Sequence, residues 1–190
     1  MILESCQLLC TALHIKIDEL LSDSENTHKH LNECKDCDIT FKLSFGNKNY
    51  NRMLTHEEYI NQLLDFKSSI PYKKTHANHP CSIWTREYFG NFAWLLSMTY
   101  HLIDEYKLRY SKDSHACEKV LKFVTDSMTK VVYLFKSMDI EKVSQFAQAM
   151  PEQYKVNQDA VKAYRQYYNN EKRDIATWSK INNMPDWFER

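Results

Sequence analysis

The sequence predicts a mainly α fold, a compact single-domain helical bundle around one long central helix, and three observations carry that expectation. Apolar residues recur at steps of three and four through long segments, the spacing that keeps them on one side of a helix. Glycine and proline are scarce, two and four in 190 residues, which disfavours sandwiches, barrels and glycine-rich phosphate loops. A chain of this length also suffices for one domain with a substantial core.

The central helix is read from the stretch His76 to His115. Trp84, Tyr88, Phe92, Leu95, Leu96, Thr99, Leu102, Ile103 and Tyr106 form one stripe in it. Gly90 interrupts that stripe early at a cost of about 1 kcal/mol relative to alanine, so a neighbouring helix or a ligand is expected to approach the backbone there. Basic and aromatic residues crowd the two ends.

The chain opens directly into a helical pattern, with Leu3, Cys6, Leu9, Cys10, Leu13, Ile17, Leu20 and Leu21 in register. No Ser, Thr, Asp or Asn stands in front to cap the first amides. An upstream piece is therefore expected to be missing. From 22 to 51 periodicity fails, and this stretch reads as an irregular surface excursion within the single domain 1–190, with a short strand candidate at ITFKLSF. It holds Cys34 and Cys37 in a CxxC near His28 and His30, but a lone CxxC without a second pair is weak evidence for zinc, and no metal site is assigned.

Thr55 to Glu58 is a capping-box pattern beginning a helix to about Ser68, with Tyr59, Leu63 and Phe66 inward. His56-Glu57-Glu58 is no zincin motif, because position 60 is Ile60 where the second histidine would stand. Pro71 and Pro80 bracket a stiff extended link, since residues before proline avoid helical geometry. Further helices are expected from after His115 to about Val124, from Asp139 through Ala149, and from Asn157 or Asp159 through about Lys180. In the last of these Ala160, Ala163, Tyr164, Tyr167, Tyr168, Ile175 and Trp178 are read as inward.

Lysine plus arginine equal aspartate plus glutamate, at 25 each, so no global field draws in nucleic acid or an anionic membrane. No apolar run reaches the roughly 18 residues of a membrane span, and no signal-peptide pattern is present. A soluble, intracellular, monomeric protein without membrane contact is expected. The six scattered cysteines suggest small buried hydrophobes and no disulfide framework.

Basic side chains interleaved with aromatics are the physical means of holding nucleic acid, since cations neutralise phosphates and rings stack on exposed bases. Two such sets occur. One is His79, Trp84, Arg86, Arg109 and Lys112, with His115 beside it; the other is Lys155, Tyr164, Arg165, Tyr168, Lys172, Trp178 and Lys180. DNA is the expected partner, with Arg86, Arg109 and Arg165 converging on one phosphate-tracking surface. Glu4, among Ile2, Leu3, Cys6 and Leu8, is expected to be partly buried, which would raise its pKa and suit it to general acid or base work.

The segments HPCSIWTREYFGNFAWL, EYKLRYSKDSH, FAQAMPEQYKV, DAVKAYRQYYNNEKRDIATW and MPDWF together resemble a family of uncharacterised proteins from bacteriophages and large DNA viruses, over most of the chain. In that family the stretch Met1 to Leu9 lies inside the chain, preceded by a strand-like start and a helical turn bearing Asp, His and Lys. More distantly, the arrangement resembles the pyrimidine-dimer DNA glycosylases of the endonuclease V type, which are compact α proteins with a glutamate late in the first long helix and an aromatic-rich tail. Glu4 falls at the matching helical position, and Met184-Pro185-Asp186-Trp187 is similar to the tail. The resemblance implies a DNA repair enzyme, a glycosylase and AP lyase, excising damaged or modified pyrimidines through a Schiff base on its N-terminal amine. It implies no metal and no cofactor, and it gives Glu4 the assisting role. The N-terminal nucleophile and the arginine beside it have no counterpart here. Two other classes fit the same residues: a non-enzymatic viral interaction protein, and a nucleotide-metabolism enzyme that grips a free nucleotide.

Overall fold

The structure is a computed structural model and describes residues 1–22, 56–180 and 183–189. Among them are six α-helices and no strand: α1 (Ile2–Ser22), α2 (His56–Ser69), α3 (Pro80–Thr85), α4 (Phe89–Tyr110), α5 (Glu118–Val131) and α6 (Ala160–Glu171). The fold is all-α, as the periodicity requires. The CxxC, its neighbouring histidines, the ITFKLSF strand candidate and Thr55 of the capping box lie outside the described residues.

The spine is α4, the longest helix, packed along α1, which also touches α2, α3 and α5. Leu9, Leu13 and Ile17 of α1 meet Phe92, Leu96 and Ile103 of α4 in one core with Leu121 and Val124 of α5. All are buried, and each such side chain contributes roughly 1.5–3 kcal/mol by leaving water. Burial extends around much of α1 because it has neighbours on several sides, so even Lys16 is largely covered, its ammonium reaching Glu19 at 2.7 Å.

The expected central helix is divided. Trp84, Phe92, Leu95, Leu96 and Ile103 are buried as the stripe demands, but the backbone leaves helical geometry at Arg86 and Glu87 and resumes at Phe89. The break lets α3 fold back so that Trp84 faces Trp94 edge-on at 5.8 Å. Gly90 lies just inside the new start, and what approaches it is neither a helix nor a ligand. It is the turn at 140–142: a Cβ on Gly90 would sit 2.5 Å from the Lys142 carbonyl oxygen and 2.8 Å from that of Ile140.

The helix expected from Asp139 through Ala149 does not form. Side chains elsewhere take up that segment's backbone groups instead. Ser144 N–H donates to Asn91 Oδ1 at 2.9 Å, Trp84 Nε1 donates to the Ser144 carbonyl at 3.3 Å, and the Tyr164 hydroxyl donates to the Ala147 carbonyl at 3.0 Å. In the other direction, the Gln148 side chain anchors the segment by pairing with both backbone groups of Val156, at 2.6 and 2.9 Å. A segment with its polar groups so satisfied has no need of helical hydrogen bonds.

The other boundaries differ less. The helix α5 runs on to Val131, seven residues past the expected end, because Val131 and Phe135 are themselves core residues. Asp159 caps α6, its Oδ1 accepting from Lys162 N–H at 2.9 Å. That helix stops at Glu171 and not near Lys180, so Ile175, expected inward, is 72% exposed. Trp178 leaves the helical register and packs on Phe188 at 4.6 Å. No described helix is long and apolar enough to cross a membrane.

Candidate site around Cys81

The structure sorts the sequence-predicted residues by what their polar atoms already do. Trp84 is 7% exposed and its indole N–H is spent on Ser144, so it is a core residue and no base-stacking platform. Arg86 turns its guanidinium back onto the start of α3, where Nη1 donates to the Ala77 carbonyl at 2.6 Å and to Ser82 Oγ at 3.3 Å.

Arg109 pairs with Glu105 at 2.6 Å and reaches Asn183 Oδ1 at 3.3 Å. Asn183 in turn donates to the same Glu105 oxygen at 2.9 Å, and this bond, with Arg109, holds the Glu105 carboxyl below its ordinary range. Arg165 lies over the Trp187 ring at 5.5 Å. The C-terminal tail 183–189 thus joins Arg109 to Arg165, while Arg86 is tied elsewhere. The expected three-arginine surface is reduced to two residues, both already partnered.

In the second set Lys172 stands 5.3 Å from the Tyr167 ring and Lys155 pairs with Glu152. Tyr168 is half-buried against Tyr167, and Trp178 is half-buried. Lys112 and Lys180 are exposed. Glu4 is exposed as well, against the expectation of partial burial, because the first turn of α1 presents its 3 and 4 positions outward while Ser5 and Cys6 face in.

Four of the predicted residues nevertheless come together, around a fifth that the sequence reading passed over. His79 caps α3 with Nδ1 accepting from Cys81 N–H at 3.2 Å. The Tyr164 hydroxyl, held by the Ala147 carbonyl and by Ala149 N–H at 3.3 Å, bears on the Cys81 thiol, as does the Glu4 carboxylate. Tyr168 adjoins Tyr164 one helical turn on. Glu4 and Tyr164 thus lie within electrostatic reach of Cys81, with His79 at the start of the same short helix and Tyr168 one turn along α6 from Tyr164.

The chemistry of this surface is that of binding and orientation. Burial pushes the Cys81 thiol up, Tyr164 pulls it the other way, and Glu4 adds to the rise. A thiol held protonated is no activated nucleophile at neutral pH. Burial likewise raises the Tyr164 phenol. Because His79 Nδ1 accepts, its neutral ring carries the proton on Nε2 and offers it as a donor. The same device recurs at His115, whose Nδ1 accepts from Cys117 N–H at 3.1 Å where α5 begins. That repeated His-x-Cys pattern, at 79–81 and 115–117, is the sequence signal by which Cys81 could have been found. Among the described residues no group of three or more His, Cys, Asp or Glu side chains is placed to hold a metal.

Compared with protein-family models, curated proteins and solved structures, the chain matches none of them.

Proposed function

We propose that the chain is a DNA-binding protein of pyrimidine-dimer-glycosylase-like type, which engages a pyrimidine nucleotide drawn out of the duplex at the surface around Cys81. The observation that supports this reading most is the gathering of Glu4, His79, Tyr164 and Tyr168 there from three distant parts of the chain. An extruded nucleotide costs a few kcal/mol of unstacking. The Tyr168 ring offers a stacking partner in return, and His79 Nε2–H offers a hydrogen bond to a phosphate or base edge. In this reading Glu4, exposed on the first turn of α1, exchanges the proton at the sugar–base linkage. Arg86 and Trp84, their polar groups spent on backbone carbonyls, take no part.

The test is binding to duplexes that carry a thymine dimer or a stable abasic analogue, against the undamaged duplex, over a range of salt. The reading expects about 10-fold or greater preference for the damaged duplexes, lost in Tyr168→Ala, because one base–aromatic stack contributes about 1–3 kcal/mol. Glu4→Gln should leave affinity nearly unchanged and remove any release of base, since the amide keeps the shape but transfers no proton. Equal affinity for all duplexes, unaltered in Tyr168→Ala, sinks the proposal.

One observation favours the non-enzymatic alternative. Met138, Ile140 and Val143 follow one another along the surface strap and are 63%, 55% and 38% exposed, the kind of apolar patch that marks protein contacts. Retention of these residues in contact with a partner, without any duplex preference, would support that reading in place of the first.

A further inference from the structure

A second concave surface lies beyond the Cys81 cluster and shares no residue with it. It is a groove of about 460 Å³ between Trp94 on α4, the extended segment at Val143 to Phe146, and the turn Gln158 to Val161 that begins α6. Small-molecule sites span about 300–1,000 Å³ and combine apolar walls with a few placed polar groups. This groove has both parts.

The wall is aromatic and held in place. Trp94 is fixed edge-on by Trp84 at 5.8 Å and by Phe146 at 4.6 Å, yet 41% of it is exposed. Its indole N–H has no hydrogen-bond partner among the described residues. A ring already locked by its neighbours loses little freedom when another ring stacks on it, which is the main saving available to a binding surface. The rim is polar and lacks any lysine or arginine: Gln145 and Gln158 bring exposed amides, and Asp159 brings a carboxylate whose Oδ1 alone is engaged, as the cap of α6. Gln158 is also held at φ 60°, a left-handed conformation that disfavours residues with a Cβ and that recurs where a site constrains its backbone.

We propose that this groove is a binding site for a planar nucleobase, stacked on Trp94 and hydrogen-bonded at its edge by the Gln145 and Gln158 amides and the Asp159 carboxylate. Without a basic residue the groove holds no phosphate. With a carboxylate at its rim, it favours bases whose edge carries an exocyclic amine, guanine, cytosine and adenine, over thymine, whose one edge donor, N3–H, stands between two carbonyl oxygens. The base can come from a free nucleoside or from a single-stranded segment of DNA, and the chemistry of the groove is the same for both.

The experiment follows the Trp94 indole N–H resonance of the full chain, assigned by its disappearance in Trp94→Phe, while deoxyguanosine, deoxycytidine, deoxyadenosine, thymidine and short oligomers of deoxycytidine or thymidine are titrated. The guanosine, cytidine and adenosine probes, or the cytidine oligomer, should shift the signal at concentrations at least about 10-fold lower than their thymine counterparts, the ratio expected for one hydrogen bond to a charged acceptor. A response to oligomers alone identifies DNA as the source, and a response to nucleosides identifies a free ligand. Asp159→Asn keeps the helix cap, because asparagine accepts the same backbone hydrogen bond, and should abolish the discrimination. Val161→Lys, at a site 56% exposed, should abolish binding without unfolding the chain. The proposal is overturned if no probe shifts the resonance up to about 10 mM, a ceiling that corresponds to negligible affinity. It is overturned equally if binding survives Val161→Lys, or if Asp159→Asn retains the preference for amino bases.

Discussion

Asn91 and Ser144 grip each other twice: Asn91 Nδ2 donates to Ser144 Oγ at 2.8 Å, and Ser144 N–H donates to Asn91 Oδ1 at 2.9 Å. The same Nδ2 reaches the Trp84 carbonyl at 2.7 Å, so one fully buried amide ties α3, α4 and the extended strap together. Asn91→Ala should cost about 2–4 kcal/mol in urea denaturation, because it strands a buried backbone N–H along with the other contacts. Ser144→Ala keeps the backbone N–H bond and should cost only about 1 kcal/mol. Equal losses in the two variants would show that the amide is not the clamp.

Gly90→Ala sets two effects against each other. Alanine is the better helix former by about 1 kcal/mol, but its Cβ would meet the Lys142 and Ile140 carbonyl oxygens at 2.5 and 2.8 Å. Backbone cannot swing aside as a side chain can, and overpacking of this kind costs about 1–3 kcal/mol. The variant should melt lower than the parent, and a higher melting temperature would mean that the strap does not lie there.

Leu96 is 4% exposed in the middle of the α1–α4 contact. Its replacement by alanine should cost about 2–5 kcal/mol. A loss under about 1 kcal/mol in chemical denaturation is what a surface position would give, and would place the stripe on the wrong side of the helix.

Asp18 gives the acid limb of stability a definite sign. Burial pushes its carboxyl up, but Lys67, in contact with Oδ1, and Lys74, 3.2 Å from Oδ2, together outweigh burial and hold it below its ordinary value. A carboxylate with a depressed folded pKa stabilises above its unfolded value, about 3.9, and loses that contribution as pH falls through the folded value. The difference in stability between the parent and Asp18→Asn should therefore be constant near neutrality and shrink below about pH 4. A difference that holds down to about pH 2 would show that the two lysines do not act on this carboxylate.

The residues of the candidate site were only partly legible in the chain. Their chemical type marks His79, Tyr164 and Tyr168 in the sequence, but by type Cys81 reads as one more small apolar residue. Arg86 and Trp84 were misread for one reason: a cation or an aromatic ring looks available in sequence until its partner is known. The partners here, the Ala77 carbonyl and the Ser144 carbonyl, are backbone groups, and backbone acceptors leave no mark on composition or spacing. Trp94 is the converse case. It reads as one aromatic among many, and only the fold back of α3 both locks it and leaves it open.

By itself the sequence determined the all-α class, the buried stripe of α4, the apolar run of α1 and, to within two residues, the start of α6. Each of these follows from contacts within a few residues, and a period of 3.6 expresses such contacts directly. Only the tertiary structure decided that 139–149 is not a helix, that the central helix breaks at Arg86, that Glu4 faces outward and that Arg109 and Arg165 meet the same tail. Several of those outcomes depend on groups 50 to 80 residues away, as with Asn91 on Ser144 and Asn183 on Glu105. When a distant side chain satisfies a backbone amide more favourably than the next helical turn would, local propensity yields to it.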